Sequence, residues 1–423
     1  MRKTQLMDTE WLSNAIRGLL TGIVAAPLIT LFANTIAFAG KVNSEFPFIV
    51  LFLPIGALII TFIYRKAGDK YKKATVYAID EIQASENQKL NLAESQNTEA
   101  EVSPIMGLIG FFTSTFSHML GASVGKEGVG VQLGLSAGSL LSIGERKLFR
   151  KNNADASSYY LMAGASAAFG ALFGSPISGV LFGIQFASPS FTRLDALMPC
   201  IVSSYTATAL SRVLGIHILT IQAITALEVN SSNILSVALF ALIIGLISRF
   251  FCFSLKRFSE LNNRISKESA YKSSIFPAII ALLIIIANYY LTNSFAYNGL
   301  SAQLLYSSIS DSIPLYAFIV KALLVILSIS AGFIGGEVVP LLVVGSAIGY
   351  TAASILSLPT SSFAALGALG MLSGGTNLPL VCFALGLELF HYPDPTLLFI
   401  AVTVAYVTSG NEGIYAHQRK FFR

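Results

Sequence analysis

Charged residues are scarce in this sequence: Asp, Glu, Lys and Arg together make up 12% of its 423 residues. A soluble domain of average composition carries about 25%. Residues 102–144 contain no charged side chain except Lys126 and Glu127, and residues 312–387 contain none except Lys321 and Glu337. This composition excludes an ordinary water-soluble domain. It also makes the two isolated carboxylates candidates for function, because a charge inside a membrane is costly and usually has a task.

Cysteine and histidine are also few. The three cysteines, Cys200, Cys252 and Cys382, show no paired spacing, and the four histidines form no ligand cluster. Disulfides, metal sites and cofactors are therefore not expected. The formal net charge of +5 does not indicate a nucleic-acid partner, because the basic residues cluster in loops, as they do in membrane proteins.

Hydrophobic residues make up 54% of the chain, and several apolar runs approach or exceed the roughly 20 residues that a membrane helix needs. The clearest runs are 15–38, 46–63, 234–255, 275–291 and 315–334. The pattern predicts an all-α, polytopic integral membrane protein, with one transmembrane domain over residues 1–423 that is embedded in the lipid bilayer. The first run is too long for a cleavable signal peptide, and more spans follow it.

The basic clusters predict the orientation of the chain. They follow the apolar runs, and the positive-inside rule puts them in the cytoplasm together with the N- and C-termini of a cell-membrane protein. The loop 288–312 contains no Lys or Arg and is expected outside. The polar segment 83–103 is rich in Glu, Gln, Asn and Ser, which favours a mobile cytoplasmic loop.

An internal repeat divides the chain into halves of about 11–215 and 233–418. When Pro176 is set over Pro379, the small-residue blocks that precede these prolines also align, and each block follows its own glycine–glutamate block. Weak similarity of this kind is typical of inverted structural repeats, whose broken helices meet near the middle of the membrane.

The motifs around the two glutamates resemble those of the CLC family of anion channels and proton-coupled anion exchangers. Gly-Lys-Glu-Gly at 125–128 resembles the Gly-Arg-Glu-Gly gate motif of the family. Pro-Ile-Ser-Gly-Val-Leu-Phe at 176–182 resembles its Pro-Leu-Ala-Gly-Val-Leu-Phe helix, and Gly-Gly-Glu-Val-Val-Pro at 335–340 stands where chloride-selective members have Gly-x-Phe-x-Pro. The resemblance spans roughly residues 47–418 in family order and implies the CLC-type inverted-repeat fold with broken helices.

Several motifs resemble the fluoride-exporting branch of this family in particular. That branch carries Gly-Gly-Glu-Val-Thr-Pro, Thr-Asn-x-Pro and Ile-Tyr-x-x-Gln, and the chain has Glu337, Thr376-Asn377-Leu378-Pro379 and Ile414-Tyr415-Ala416-His417-Gln418. Three features depart from family patterns. Val339 replaces a threonine of the branch, residues 74–77 replace a glycine-containing segment, and Phe186 stands where chloride exchangers have an internal proton glutamate.

The resemblance implies a transporter rather than an enzyme, most simply a fluoride/proton antiporter that exports fluoride. Helix N-termini offer unpaired N–H groups and partial positive charge to an anion. Glu127 is the expected gate and proton carrier, and Glu337 the second proton acceptor. The expected anion-binding residues are Gly125, Lys126, Gly128, Val129, Gly336, Val338, Val339, Tyr415, Thr75 and Val76.

The expected partners are halide anions, protons and a second copy of the chain, with interface helices from 196–214 and 363–390. Two alternatives stay open. A chloride channel or chloride/proton exchanger would have the same fold. An intramembrane hydrolase would use Ser123, which lies in a Gly-x-Ser-x-Gly pattern, together with His118.

Overall fold

The computed structural model describes residues 2–89, 101–149, 154–189, 193–268, 272–292, 295 and 297–419. Within these ranges the chain forms sixteen α-helices and, apart from one isolated bridge, no β-structure. The helices are α1 (Arg2–Glu45), α2 (Leu53–Ala67), α3 (Ala74–Lys89), α4 (Pro104–Met119), α5 (Glu127–Phe149), α6 (Ala154–Phe173), α7 (Pro176–Gln185), α8 (Leu197–Val213), α9 (Ser231–Glu268), α10 (Lys272–Thr292), α11 (Ala302–Ser310), α12 (Ala317–Ser330), α13 (Val338–Leu356), α14 (Thr360–Thr376), α15 (Pro379–Glu388) and α16 (Pro395–Ser409). The all-α prediction is confirmed.

Five helical stretches of the described chain are long and apolar enough to cross a membrane. They are Glu10–Glu45, Pro47–Ala67, Ser231–Asn262, Ile275–Thr292 and Val338–Leu356. Four of them coincide with predicted runs. The fifth predicted run, 315–334, is wrong as a full span, because α12 ends at Ser330 after 14 residues, a length of about 21 Å. Gly332, with φ of +83°, follows in a left-handed conformation that a helix cannot continue.

The second half of the chain repeats the helix order of the first. Helices α5, α6 and α7 have 23, 20 and 10 residues, and α13, α14 and α15 have 19, 17 and 10. Pro176 opens α7 and Pro379 opens α15, in agreement with the aligned sequences. The limits of the two halves, about 215 and 233, stay a prediction.

Helices α5 and α13 end against different segments of the chain. Near the end of α5, Glu145 pairs with Arg17 of α1 at 2.6 Å. Beyond α13, Ser361 at the start of α14 donates a hydrogen bond to Thr225, in the segment after α8, at 3.0 Å.

Glycines bring the paired helices of each half unusually close. A Cβ atom on Gly134 of α5 would lie 2.1 Å from the carbonyl oxygen of Gly164 on α6. In the second half, a Cβ atom on Gly345 of α13 would lie 2.3 Å from the carbonyl oxygen of Gly367 on α14. Small residues at such crossings are the usual means of packing helices in a membrane.

The prediction of a mobile loop over 83–103 is wrong at its start. Residues 83–89 are the second half of α3, and Glu86 there is only 4% exposed. It accepts a hydrogen bond from Arg419 at 3.0 Å. The segment is polar because its side chains bind other parts of the chain, not because it is solvated throughout. Residues 90–100 lie outside the described residues.

The predicted interface helix 363–390 is also wrong in its first part. Every residue from Ser361 to Thr376 on α14 is buried within the chain, because α14 packs against α9, α13, α15 and α16. It cannot meet a second copy. The exposed apolar side chains of that region are on α15, where Leu380 is 43% and Leu387 38% exposed.

Candidate functional site

The two glycine–glutamate motifs meet at one point. The N–H of Gly125 donates to the carbonyl of Gly336 at 2.7 Å, and the N–H of Gly336 donates to the carbonyl of Gly125 at 2.6 Å. A side chain would not fit here, because a Cβ atom on Gly336 would lie 2.3 Å from the backbone nitrogen of Gly128. Motifs from different halves of the chain therefore form one structure, which we call the glycine bridge.

Two helices begin beside the glycine bridge, α5 at Glu127 and α13 at Val338. The first turn of a helix carries N–H groups without a partner inside the helix and a partial positive charge. The side chains of Val129, Val338 and Val339 are 1%, 4% and 0% exposed and pack in the hydrophobic core. These residues and Gly128 can therefore offer an anion only their backbone N–H groups. Their role in anion binding stays a prediction.

Glu127 is almost fully enclosed, with 1% of its surface exposed. Neither of its carboxyl oxygens has a hydrogen-bond partner among the described residues. The carboxyl group lies near the N–H groups of Lys126, Val339 and Glu127 itself without reaching regular hydrogen-bond geometry. It occupies space beside two helix ends and has no hydrogen-bond partner among the described residues; its role as gate and proton carrier stays a prediction.

Glu337 and Tyr415 lie close to the same point. Glu337 directly precedes α13, makes no capping hydrogen bond and is partly exposed. Tyr415 follows α16, and its hydroxyl is within electrostatic range of both Glu337 and Glu127. Its ring centroid is 6.1 Å from that of Phe182 on α7. The structure thus brings together the three side chains to which the sequence assigned proton and anion chemistry.

Gln418 holds the segment that carries Tyr415. Its Nε2 donates to the carbonyls of Phe186 at 3.0 Å and Thr376 at 3.1 Å. Its Oε1 accepts a hydrogen bond from Nδ2 of Asn377 at 3.3 Å. The threonine–asparagine motif and the C-terminal tyrosine–glutamine motif are therefore one connected unit that fixes the position of the Tyr415 ring.

Lys321 is a residue to which the sequence reasoning assigned no role. It is 0% exposed, and its Nζ lies within hydrogen-bond distance of the Gly299 carbonyl and Ser301 Oγ, at 2.7 and 2.9 Å, and of the Tyr297 carbonyl and Ser123 Oγ, both at 3.2 Å. These contacts join the loop before α11 to the segment that leads into Gly125. The signal was in the sequence, because Lys321 is as isolated in its apolar run as Glu337.

The hydrolase alternative expects Ser123 and His118 to act together, and the described contacts do not pair these two residues. Ser123 Oγ is bonded to Lys321 and to the carbonyl of Tyr297 at 3.3 Å. His118 instead places Nδ1 2.8 Å from the carbonyl of Ser114. The Gly-x-Ser-x-Gly elbow of hydrolases follows a strand, whereas here helix α4 comes before Ser123.

The remaining predicted site residues lie at the edge of this centre. Thr75 and Val76 are in the first turn of α3 and are partly buried, and their role in anion binding stays a prediction. Lys126 is 4% exposed and donates from Nζ to the carbonyl of His217 at 3.0 Å. The described residues contain no group of three or more side chains that could hold a metal ion.

Two opposed helix ends inside a membrane fold, with carboxyl groups beside them, define a membrane anion-transport protein. A family model described as voltage gated chloride channel matches residues 56–410. The chain belongs to this family, the CLC family. The resemblance of the motifs and the expected fold are thereby confirmed.

Individual relatives cover almost the whole chain. A chloride/fluoride channel protein of Pseudomonas syringae pv. tomato is 27% identical over 416 residues, which are 97% of this chain and 86% of the relative. The crystal structure of a CLC-type fluoride/proton antiporter is similar with a TM-score of 0.85 and 25% identity, covering 96% of this chain and 98% of that one. A slow cyanobacterial Cl−/H+ antiporter has a TM-score of 0.73 at 16% identity, covering 95% and 94%, and shares the fold.

Proposed function

We propose that this chain exchanges fluoride for protons across the cell membrane. The observation that carries the proposal is the glycine bridge between Gly125 and Gly336. It sets the helix ends that begin at Glu127 and Val338 side by side, so that two carboxyl groups and two sets of free N–H groups serve one site. The names of the Pseudomonas relative and of the solved antiporter support fluoride as the anion.

The proposed cycle uses the competition between a carboxylate and an anion for the same N–H groups. When Glu127 is ionised, its carboxylate occupies the helix ends and excludes the anion. When it takes a proton, it becomes neutral and leaves, and the anion binds to the N–H groups of residues such as Val339. The proton passes from Glu127 to Glu337, whose carboxylate accepts it, and the hydroxyl of Tyr415 donates a hydrogen bond to the anion from the other side.

Chloride remains the second candidate substrate because of one residue. The fluoride branch that the motifs resemble has a threonine where this chain has Val339, and the Val339 side chain is completely buried in the core. The chain therefore lacks one hydroxyl donor near the site. A strongly hydrated fluoride ion needs short hydrogen bonds from several donors, so a chloride/proton exchanger is the alternative.

The orientation of the site follows from a face rich in basic residues. Arg146 pairs with Glu101, Arg193 with Asp195, and Arg419 with Glu86. By the positive-inside rule this face lies in the cytoplasm. The opposite face, with the loop before α11, then lies outside, and the C-terminal segment approaches the site from the cytoplasm.

A second copy of the chain is proposed to cover the apolar surface formed by α7, α8, α15 and α16. Ile177, Tyr205, Leu380 and Phe399 on these helices are 43–50% exposed. The surface is continuous because Glu388 at the end of α15 accepts hydrogen bonds from the Ser178 N–H and hydroxyl of α7, both at 2.7 Å. Leu380→Lys should shift the detergent-purified protein from dimer to monomer mass, whereas the same mass in both proteins would argue against this surface.

The transport mechanism is tested with purified protein in liposomes, with fluoride and chloride compared and internal pH recorded. When liposomes are loaded with fluoride and diluted into fluoride-free buffer, fluoride leaves and protons enter in exchange, so wild-type protein should acidify the lumen. Glu127→Gln should abolish this proton movement, because the amide has a similar shape but cannot ionise. Glu337→Gln should reduce proton flux while anion binding stays measurable.

Glu228→Gln is the matched control, because Glu228 is exposed in the segment before α9, and it should transport like wild type. Undiminished fluoride-driven proton movement in Glu127→Gln would remove Glu127 from the cycle. Chloride transport as fast as fluoride transport would favour the chloride exchanger instead.

A further inference from the structure

Two short segments, 120–125 after α4 and 331–336 after α12, lead into the glycine bridge with matching conformations. Each turns at a glycine in the left-handed region, Gly121 with φ of +85° and Gly332 with φ of +83°. In each segment the N–H group that follows this glycine donates to the carbonyl of a serine in the preceding helix, at 3.0 and 3.2 Å. The two segments are therefore equivalent parts of the two halves.

The hydroxyl of the same serine reaches across to the segment of the other half. On α4, Ser117 Oγ accepts a hydrogen bond from the Ile334 N–H at 3.1 Å. On α12, Ser328 Oγ accepts one from the Ser123 N–H at 3.0 Å. The separation of the two serines in the sequence equals that of the two bridging glycines. We call these two reciprocal hydrogen bonds the serine braces.

The serine braces satisfy N–H groups that lie outside any helix. Ser123 and Ile334 each precede a bridging glycine by two positions and follow the end of a helix, so their N–H groups need partners from elsewhere in the fold. Ser117 and Ser328 are both 0% exposed, and water does not replace them as acceptors. An unpaired N–H group at such a depth is costly. Each brace therefore resists sliding of one segment along the other.

The braces lie close in sequence to the two helix ends of the site. Ser123 is followed by the start of α5 at Glu127, and Ile334 by the start of α13 at Val338. Because each connection is short, a shift of the braced residue moves the N–H groups of the first helical turn. Hydrogen bonds weaken steeply with poor angle and distance, so such a shift would weaken the contacts to a bound anion.

The two braces differ in the support that they receive. Ser123 is also held through its hydroxyl, which lies 3.2 Å from Nζ of the buried Lys321. Ile334 occupies the equivalent position in the second half, and its side chain has no polar atom. Removal of the Ser328 hydroxyl therefore leaves Ser123 attached to α12, whereas removal of the Ser117 hydroxyl leaves the Ile334 N–H without that attachment.

We propose that Ser117 and Ser328 are positioning residues for the anion site, and that the start of α13 depends on its brace more than the start of α5 does. Both serines act through the backbone that they hold and not by contact with the anion. The inference rests on the proposed function for the anion site itself. It does not depend on proton coupling, because the braces set the N–H groups whichever group carries the proton.

The test measures initial rates of fluoride and of chloride uptake into liposomes at constant pH and increasing external halide concentration. Ser117→Ala should raise the half-saturating concentration about fivefold, the effect of one lost hydrogen bond. Ser117→Thr should restore the wild-type value, because threonine keeps the hydroxyl acceptor. Ser328→Ala should have a smaller effect than Ser117→Ala. The double variant Ser123→Ala, Ser328→Ala should reach about fivefold, because the contact with Lys321 is then lost as well.

Ser136→Ala is the matched control. Ser136 Oγ on α5 accepts from the Gly107 N–H of α4 at 2.9 Å, so this variant loses the same kind of buried hydrogen bond about 14 Å along α5 from Glu127. It should lower the Tm about as much as Ser117→Ala does while its half-saturating concentration stays that of wild type. A merely structural role of Ser117 predicts the same behaviour for both variants.

An unchanged half-saturating concentration in Ser117→Ala, or an equal rise in Ser136→Ala, would overturn the proposal. Should Ser117→Ala fail to fold, the double variant of Ser123 and Ser328 carries the test, and wild-type half-saturation there would overturn it. If Glu127→Gln still moves protons while Ser117→Ala shows the fivefold rise, the transport cycle fails and the role of the braces stands.

Discussion

Gly336 is the position where one added methyl group should damage the site most. In Gly336→Ala the new Cβ atom would lie 2.3 Å from the nitrogen and 3.0 Å from the Cα of Gly128. Both contacts are backbone atoms, so no side chain can rotate away. The glycine bridge must open, and its two hydrogen bonds with Gly125, at 2.7 and 2.6 Å, are lost.

The expected cost is about 3–5 kcal/mol of unfolding free energy. Two buried backbone hydrogen bonds contribute about 1 kcal/mol each, and overpacking adds about 1–3 kcal/mol. Gly144→Ala is the control, because no atom lies within 4 Å of a Cβ at Gly144 on α5. That change should be neutral or stabilise by up to about 1 kcal/mol, since alanine favours the helix.

The assay compares the Tm of the two variants in detergent and their halide efflux from liposomes. Gly336→Ala should lower the Tm and abolish efflux, because the helix ends no longer share one site, while Gly144→Ala should retain both. A Gly336→Ala protein with wild-type Tm and efflux would refute the argument that the glycine bridge forms the site.

Three further outcomes are expected. Burial opposes ionisation of Asp195, but hydrogen bonds from Arg193 and Lys89 hold the pKa of Asp195 well below its ordinary value. The ionised form therefore stabilises the fold above that ordinary value, and this contribution is lost as pH falls through the folded pKa. The Tm difference between wild type and Asp195→Asn should shrink below about pH 4; a constant difference would contradict this. Gln418→Leu should reduce halide efflux several-fold, because the segment that carries Tyr415 loses its hydrogen bonds to Phe186 and Thr376. Unchanged efflux would show that transport does not depend on these hydrogen bonds. Val339→Thr should increase the ratio of fluoride to chloride efflux, and an unchanged ratio would exclude this position from selectivity.

Two segments show where local sequence patterns fail to predict the surroundings of a residue. The segment 83–89 is polar and looked solvated, but its partners Arg419 and Ser188 come from distant parts of the chain. The apolar helix α14 looked like a contact surface, but neighbouring helices enclose it completely. Polarity and hydrophobicity predict the environment of a residue only when the neighbouring elements are known.

The sequence by itself determined the class of protein, the family and the two glycine–glutamate motifs that the fold brings together. The membrane location follows from the scarcity of charge, and the two glutamate motifs keep their residues within a few positions of each other, so both can be recognised locally. Only the tertiary structure decided that Gly125 pairs with Gly336, that Lys321 joins the loop before α11 to the segment that leads into Gly125, and that Gln418 binds the carbonyls of Phe186 and Thr376. These facts depend on which helices become neighbours, and that is set by packing between residues far apart in the chain.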